Sequence, residues 1–297
     1  MGGERFPWGD RTGVMGVINL TPDSFSDGGR FLDPAAALAE ARRQRARGAD
    51  VLDLGGQSTR PGAEEVGAAA EISRLLPALR AIRAAEPGVV VSVDTFHGAV
   101  AEAALAAGAD WINDVSGGRR DPALLAVVAA ADCPYVLMHS RGDSRRMDTL
   151  AEYGDVVAEV REELLRATER AMAAGVRPER LIWDPGLGFA KTVEQNLVLL
   201  AGLEALVAEG FPLLVGPSRK RFIGAVLGEG RARARLWGTA AVCCRAIAAG
   251  AALLRVHDVG PIVQTARMAE ALWRRKTVDE RTVSAIVGGP IPPGSCP

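Results

Sequence analysis

The chain has 297 residues, 48% of them hydrophobic and 24% charged, with 35 basic side chains against 36 acidic ones and a formal net charge of −1. So large an apolar fraction excludes intrinsic disorder, and the balanced charge excludes a broad polyanion-binding surface, so no nucleic acid partner is expected. No stretch approaches the ~18 uncharged apolar residues of a membrane span, and residues 1–12 carry no apolar signal core, so the expectation is a cytoplasmic protein with no membrane association.

Short β-branched or apolar runs alternate with Ala-rich stretches from one end to the other, the pattern of parallel strands buried beneath crossover helices. In chain order, a strand at 14–18 precedes a helix at 34–47 whose start is marked by Asp33 before Pro34 and whose end is marked by Gly48. A strand at 51–54 leads to a helix at 68–85, and a strand at 89–93 leads to a helix at 99–107 closed by Gly108. Strand 111–114 is followed by helix 122–130, with Asp121 and Pro122 at its start, and strand 135–138 by helix 156–174, with Gly175 just beyond. The series continues with strand 181–183 and helix 193–208, then strand 213–215 and a helix at 219–227 extended by 236–249. It ends with strand 252–256 and helix 261–275.

Eight such units in roughly 260 residues predict a single-domain (β/α)8 TIM barrel rather than an open doubly wound sheet. The barrel is expected over 13–287, with an N-terminal extension at 1–12 and a Gly/Pro-rich tail at 288–297. The one G-x-G, Gly186-Leu187-Gly188, lacks the third glycine of a dinucleotide fingerprint. Cys133, Cys243, Cys244 and Cys296 include no C-x-x-C pair, so neither a zinc site nor a disulfide framework is expected.

Chemistry in a TIM barrel sits at the C-terminal ends of the strands. Those positions hold Asn19, Gly55 to Arg60, Asp94, Asn113 with Asp114, His139, Asp184, Ser218 to Lys220, and Arg255 with His257. The chain has only three lysines (Lys191, Lys220, Lys276), three asparagines (Asn19, Asn113, Asn196) and three histidines (His97, His139, His257), so each is a candidate for a specific task. Asp94, Asn113 and Asp184 supply acceptors and one amide donor suited to a flat heterocycle bearing several N–H groups. Asn19, Ser58, Thr59, Arg60, Arg255 and His257 gather cations and neutral donors of the kind that hold phosphate or diphosphate. Lys220 falls in the predicted first turn of a helix, where the dipole disfavours a cation, so a chemical task is expected for it; Arg219 beside it is as readily structural. The loops 19–33 and 55–67 exceed the ~2–6 residues usual for βα connections, and loops of that kind over a barrel mouth act as lids.

Taken together, the runs Met15 to Gly29 (MGVINLTPDSFSDGG), Asp53 to Ala63 (DLGGQSTRPGA), Asn113 to Gly118 (NDVSGG), Asp184 to Phe189 (DPGLGF), Ser218-Arg219-Lys220 and Arg255 to Asp258 (RVHD) resemble the dihydropteroate synthase family of folate biosynthesis, in the family's order from about Val14 to Ala271. The resemblance implies a pterin-binding (β/α)8 barrel. Its expected reaction joins 6-hydroxymethyl-7,8-dihydropterin diphosphate to 4-aminobenzoate, releasing diphosphate and 7,8-dihydropteroate, with Mg2+ on the diphosphate. It also implies a homodimer and a target for sulfonamides. By the same resemblance Asp94, Asn113, Asp184 and Lys220 hold the pterin and Arg255 packs on its face, while Asn19 (the metal ligand), Arg60, Arg255 and His257 meet the diphosphate or its metal. Phe25, Thr59, Arg60, Pro61, Phe189, Ser218 and Lys220 shape the aminobenzoate site, and Met138 and Gly216 complete the substrate-binding set. Asp94, Lys220, Arg60 and Thr59 are the expected catalytic residues. Two positions depart from the usual pattern: Gln57 replaces a common glutamate, and Ser144 stands where proline is frequent. A catalytically silent pterin-binding paralogue and a pterin-binding methyltransferase domain are the alternatives within this architecture.

Overall fold

The computed structural model describes residues 8–9, 11–21, 33–57 and 65–273. Eight strands, β1 (Gly13–Asn19), β2 (Val51–Gly55), β3 (Val90–Asp94), β4 (Trp111–Asp114), β5 (Tyr135–Met138), β6 (Leu181–Asp184), β7 (Leu214–Val215) and β8 (Leu253–Val256), run parallel in the order β6-β5-β4-β3-β2-β1-β8-β7. A bridge from Trp183 to Leu213 and a 2.9 Å hydrogen bond from the Trp183 amide to the Pro212 carbonyl join β6 to β7 and complete the (β/α)8 barrel. Ten helices surround it among the described residues: α1 (Pro34–Ala46), α2 (Ala68–Ala85), α3 (Gly98–Ala106), α4 (Ala123–Ala131), α5 (Val156–Ala173), α6 (Val193–Ala201), α7 (Leu203–Val207), α8 (Arg221–Leu227), α9 (Leu236–Ala248) and α10 (Val259–Trp273). None of them is long and apolar enough to cross a membrane.

Strand alternation separates the two cores and creates the site. Successive strand side chains point to opposite faces. The outward set, with Val14, Leu52, Val91, Ile112 and Leu254, packs under the helices. The inward set forms an apolar plug of Met15, Val51, Trp111, Val136, Ile182, Leu214 and Leu253. Two residues further along, the next inward positions hold Asp53, Asn113, Met138, Asp184, Gly216 and Arg255, with Val17 following Met15 on β1. The polar layer therefore rests on the plug and opens at the C-terminal mouth.

Boundary chemistry explains most helix starts and ends. The Asp33 carboxylate accepts from the Ala35 amide at 3.0 Å, and Gly48, Gly108 and Gly175 adopt φ of +94°, +99° and +97° past their helices. The predicted helix 193–208 is interrupted at Gly202, where a Cβ would come within 2.7 Å of the Val157 side chain, so close packing on α5 breaks it into α6 and α7. The helix expected from residue 219 begins at Arg221: Arg219 is left-handed (φ +61°) and Lys220 is extended, so Lys220 stands before the helix rather than in its first turn. The last helix begins at Val259 rather than at 261, and residues from 274 onward, the proposed tail among them, lie outside the described residues. Cys133 and Cys243 are buried, and burial pushes the Cys133 thiol up to about 12, which leaves it inert.

The β6–β7 seam leans on Trp183, which is fully buried, stacks on Phe211 at 4.8 Å and donates its indole N–H to Thr168 Oγ1 at 2.9 Å. Trp183→Ala is expected to cost about 3–5 kcal/mol through the cavity left behind, measured as a lower urea midpoint at unchanged m-value.

Candidate active site

A fully buried carboxylate, Asp53 on β2, organises the polar layer. Its Oδ2 accepts from Arg255 Nε at 2.6 Å and from Asn113 Nδ2 at 3.1 Å, and Arg255 Nη2 continues to Asp94 Oδ2 at 2.7 Å. Strands β2, β3 and β8 are thus tied through one guanidinium, and β4 joins them through the Asp53 carboxylate. Burial works against the Arg255 charge, but Asp53 and Asp94 outweigh it and raise its pKa. Burial, the largest influence on Asp94, pushes its carboxyl up to about 7; Arg255 opposes the shift and Asp53 reinforces it.

On the opposite wall, burial raises Asp184, while the Gly186 amide, Lys220 and Arg255 oppose it. Asp184 Oδ1 accepts from that amide at 2.8 Å. Burial also pulls Lys220 down to about 8, with Asp184 opposing. The Lys220 ammonium lies 4.1 Å from the centre of the Phe189 ring, a cation–π contact that joins the turn after β6 to the one after β7. Gly216 leaves the floor between them open, since a Cβ there would lie 3.7 Å from the Arg255 Cβ and 3.9 Å from Asp184 Oδ2.

A cavity of about 390 Å³ results, with Asn113, Met138, Asp184, Phe189, Lys220 and Arg255 among its lining residues. A neighbouring cavity of about 470 Å³, bounded by Gln57, Phe96, Ser116 and Arg120, shares Val115 and Phe189 with the first. Asn19 and Asp94 flank Gly55, as a Cβ on that glycine would lie 3.8 Å from both Asn19 Oδ1 and Asp94 Oδ2. Ser218 Oγ meets His257 Nδ1 at 3.0 Å and accepts from the His257 amide at 3.1 Å, holding the imidazole beside the β7 and β8 ends.

The structure therefore brings Asn19, Asp94, Asn113, Met138, Asp184, Phe189, Gly216, Ser218, Lys220, Arg255 and His257 to one end of the barrel. Phe25, Ser58, Thr59, Arg60 and Pro61 lie outside the described residues. Two strand-end candidates prove structural. Arg219 makes a two-pronged ion pair with Asp258, at 3.0 and 2.7 Å, and His139 is buried against Glu163 and Lys191. Sequence reasoning passed over Asp53, although a carboxylate inside the apolar run Val51 to Leu54 was the signal. Asp114 was likewise undervalued. It accepts from the Tyr135 hydroxyl at 2.7 Å and from the Ser116 and Gly118 amides, at 2.7 and 2.6 Å, and so shapes the turn bearing Val115.

Comparison with known proteins agrees with this geometry. The sequence pattern of the family described as pterin binding enzyme matches residues 15–257. The dihydropteroate synthase of Synechocystis sp. is 49% identical over 274 residues, covering 92% of this chain and 94% of that one. The Xanthomonas albilineans dihydropteroate synthase solved with 4-aminobenzoic acid superposes with a TM-score of 0.83 at 43% identity, over 91% of this chain and 95% of that one. The same protein solved with 7,8-dihydropteroate gives a TM-score of 0.80 at 40% identity, with 91% and 95% covered. The chain belongs to the pterin-binding enzyme family, and within it to the dihydropteroate synthases.

Proposed function

We propose that the polar layer holds the pterin ring of 6-hydroxymethyl-7,8-dihydropterin diphosphate and transfers its methylene carbon to the amine of 4-aminobenzoate. The observation that carries this reading is the convergence of Asn113, Asp184, Lys220 and Arg255 on one cavity, with Asp94 bound to the same guanidinium. Carboxylate and amide acceptors face the ring N–H groups and Lys220 donates to a ring acceptor, while Arg255 lies against the ring face and Met138 and Gly216 leave room for it. Asn19, Arg60, Arg255 and His257 receive the diphosphate. Phe25, Thr59, Pro61, Phe189 and Ser218 enclose the arylamine, with Arg60 and Lys220 at its border.

Charge favours a dissociative route. With Asp94 ionised, the carboxylates of Asp53, Asp94 and Asp184 against the cations of Arg255 and Lys220 sum to −1, three against two, so the ring sits in a net negative field. The C–O bond to diphosphate breaks first, leaving a pterin-stabilised cation next to Asp94. The amine lone pair then forms the C–N bond, and the amine proton is lost to solvent. His257 and Arg60 stabilise the departing anion together with Arg255, whose own charge Asp53 and Asp94 partly offset.

The donor set suits Mg2+. This ion uses hard oxygen ligands and is commonly held by one or two protein groups plus substrate phosphates, and no group of three His, Cys, Asp or Glu that could cage a metal occurs among the described residues. Asn19 Oδ1, at the mouth beside Asp94, is the oxygen that would hold it. When bound it neutralises charge on the leaving diphosphate.

A cytoplasmic homodimer completes the proposal. The segment 240–254 lies mostly inward, with Cys243, Ala246, Ile247 and Leu253 buried, whereas Val226, Leu227 and Trp237 just before it are 58%, 53% and 78% exposed and offer an apolar contact. Trp237→Glu is expected to shift the sedimenting species toward monomer while leaving the fold intact.

Incubation with both substrates and Mg2+ should release diphosphate only when 4-aminobenzoate is present, and a sulfonamide should raise the KM for 4-aminobenzoate without lowering kcat. Pterin binding without turnover would instead mark a silent paralogue. Because the Asp94 carboxyl is raised, its charged form is lost as pH falls through about 7, so kcat/KM should decline below that pH. Asp94→Asn should lower kcat about 10²-fold or more across the pH range; unchanged turnover would refute its role.

A further inference from the structure

Lys191, His139 and Asn196 come from the three sparsely used residue types, and none is taken up by the ligand assignments above. All three meet at one turn. Residues 186–190 connect β6 to the segment before α6, and Gly186, Gly188 and Ala190 in it have φ of +67°, +76° and +47°. A Cβ at Gly186 would lie 1.8 Å from the His139 carbonyl oxygen, so only glycine fits. Ala190 is fully buried in a region that L side chains disfavour. Such a turn persists only where its surroundings over-determine it.

Lys191 supplies most of that determination. Its Nζ lies 2.9 Å from His139 Nδ1, 3.1 Å from the Gly186 carbonyl and 3.1 Å from the Phe189 carbonyl. An ammonium has three N–H donors, and these three acceptors use all of them. His139 must then carry its proton on Nε2, which faces Glu163 Oε2 at 3.0 Å, and Glu163 is held in turn by Arg141. Burial, reinforced by the Lys191 charge, pulls His139 down to about 4, which keeps the ring a neutral acceptor. Burial pulls the Lys191 amine to about 7, with Asp184 and Glu163 opposing; an uncharged amine would have two donors for three acceptors. Asn196 Oδ1 takes the Gly188 amide at 2.7 Å.

We propose that Lys191 is a positioning residue whose three hydrogen bonds fix the turn bearing Phe189, and with it the wall against which the arylamine binds. The inference rests on the arylamine reading of Phe189 given above. Asp184 makes no hydrogen bond to Lys191: its carbonyl accepts from the His139 amide at 2.9 Å and its side chain accepts from the Gly186 amide, and it stands at the end of a strand rather than on the turn. Loss of the Lys191 ammonium therefore falls chiefly on the second substrate.

Steady-state kinetics of Lys191→Met on the full chain should show a KM for 4-aminobenzoate raised ~10-fold or more, with kcat and the KM for the pterin diphosphate within ~3-fold of the unmodified protein. Glu163→Gln, a change on a partly exposed side chain of α5, releases the His139 tautomer and should raise the same KM by a smaller factor; it decides the question if Lys191→Met is not recovered folded. An unchanged arylamine KM, or a loss spread equally over kcat and both KM values, would overturn the inference. Failure of the unmodified chain to form dihydropteroate would instead remove the functional reading beneath it.

Discussion

The site is built around one guanidinium sealed between two carboxylates. Arg255 bridges Asp53 on β2 and Asp94 on β3, inside a barrel floored by a plug of apolar side chains. Three ionised groups in such a place are costly to desolvate, and removing any one of them strands the others at a price of about 3–5 kcal/mol. The cost is offset only when all three are present together. That requirement fixes the relative register of β1, β2, β3 and β8, with Met15 opposite Arg255 and Gly55 opposite Asp94.

The same constraint joins fold to chemistry. Because strand side chains alternate, an apolar floor followed two residues later by Asp53, Asn113, Asp184 and Arg255 yields a dry-bottomed, polar-rimmed cup without any loop having to build it. Of the groups proposed to bind the ring, Asp94, Asn113, Asp184 and Arg255 stand on rigid strands, whereas Lys220, like Phe189, stands on a turn whose shape depends on left-handed residues and buried polar partners. On the proposed reading, the sheet positions most of the groups for the first substrate, and hydrogen bonds such as those of Lys191 position the turn that faces the second.

Much of this was legible in the sequence. Eight short β-branched or apolar runs, nearly all meeting a polar residue at their ends, named the barrel and its active end, and Asp94, Asn113, Asp184 and Arg255 fell where alternation puts them, whereas Lys220 stands on the turn before the helix it was expected to open. What periodicity does not show is pairing across the barrel. Asp53 reads as an interruption of an apolar strand until Arg255, 202 positions away, is seen to contact it. His139 reads as one more polar strand-end candidate until Glu163 and Lys191 are found on its two nitrogens. Arg219 and Lys220 are adjacent in sequence, yet a left-handed residue turns one to Asp258 and the other to the cavity. Contacts of that kind depend on three-dimensional closure, and no local pattern encodes them.

The claim that ties these parts together is that a net negative cup stabilises positive charge on the pterin while diphosphate departs. Deuterium placed on the methylene carbon that bears the diphosphate reads this step directly through the secondary isotope effect on kcat/KM for the pterin substrate. A carbon that loses its leaving group before the amine arrives becomes trigonal in the transition state, so a clearly normal effect is expected. An effect of unity or below would mean that amine and diphosphate occupy the carbon together, and the charge arrangement around Arg255 would need a different explanation.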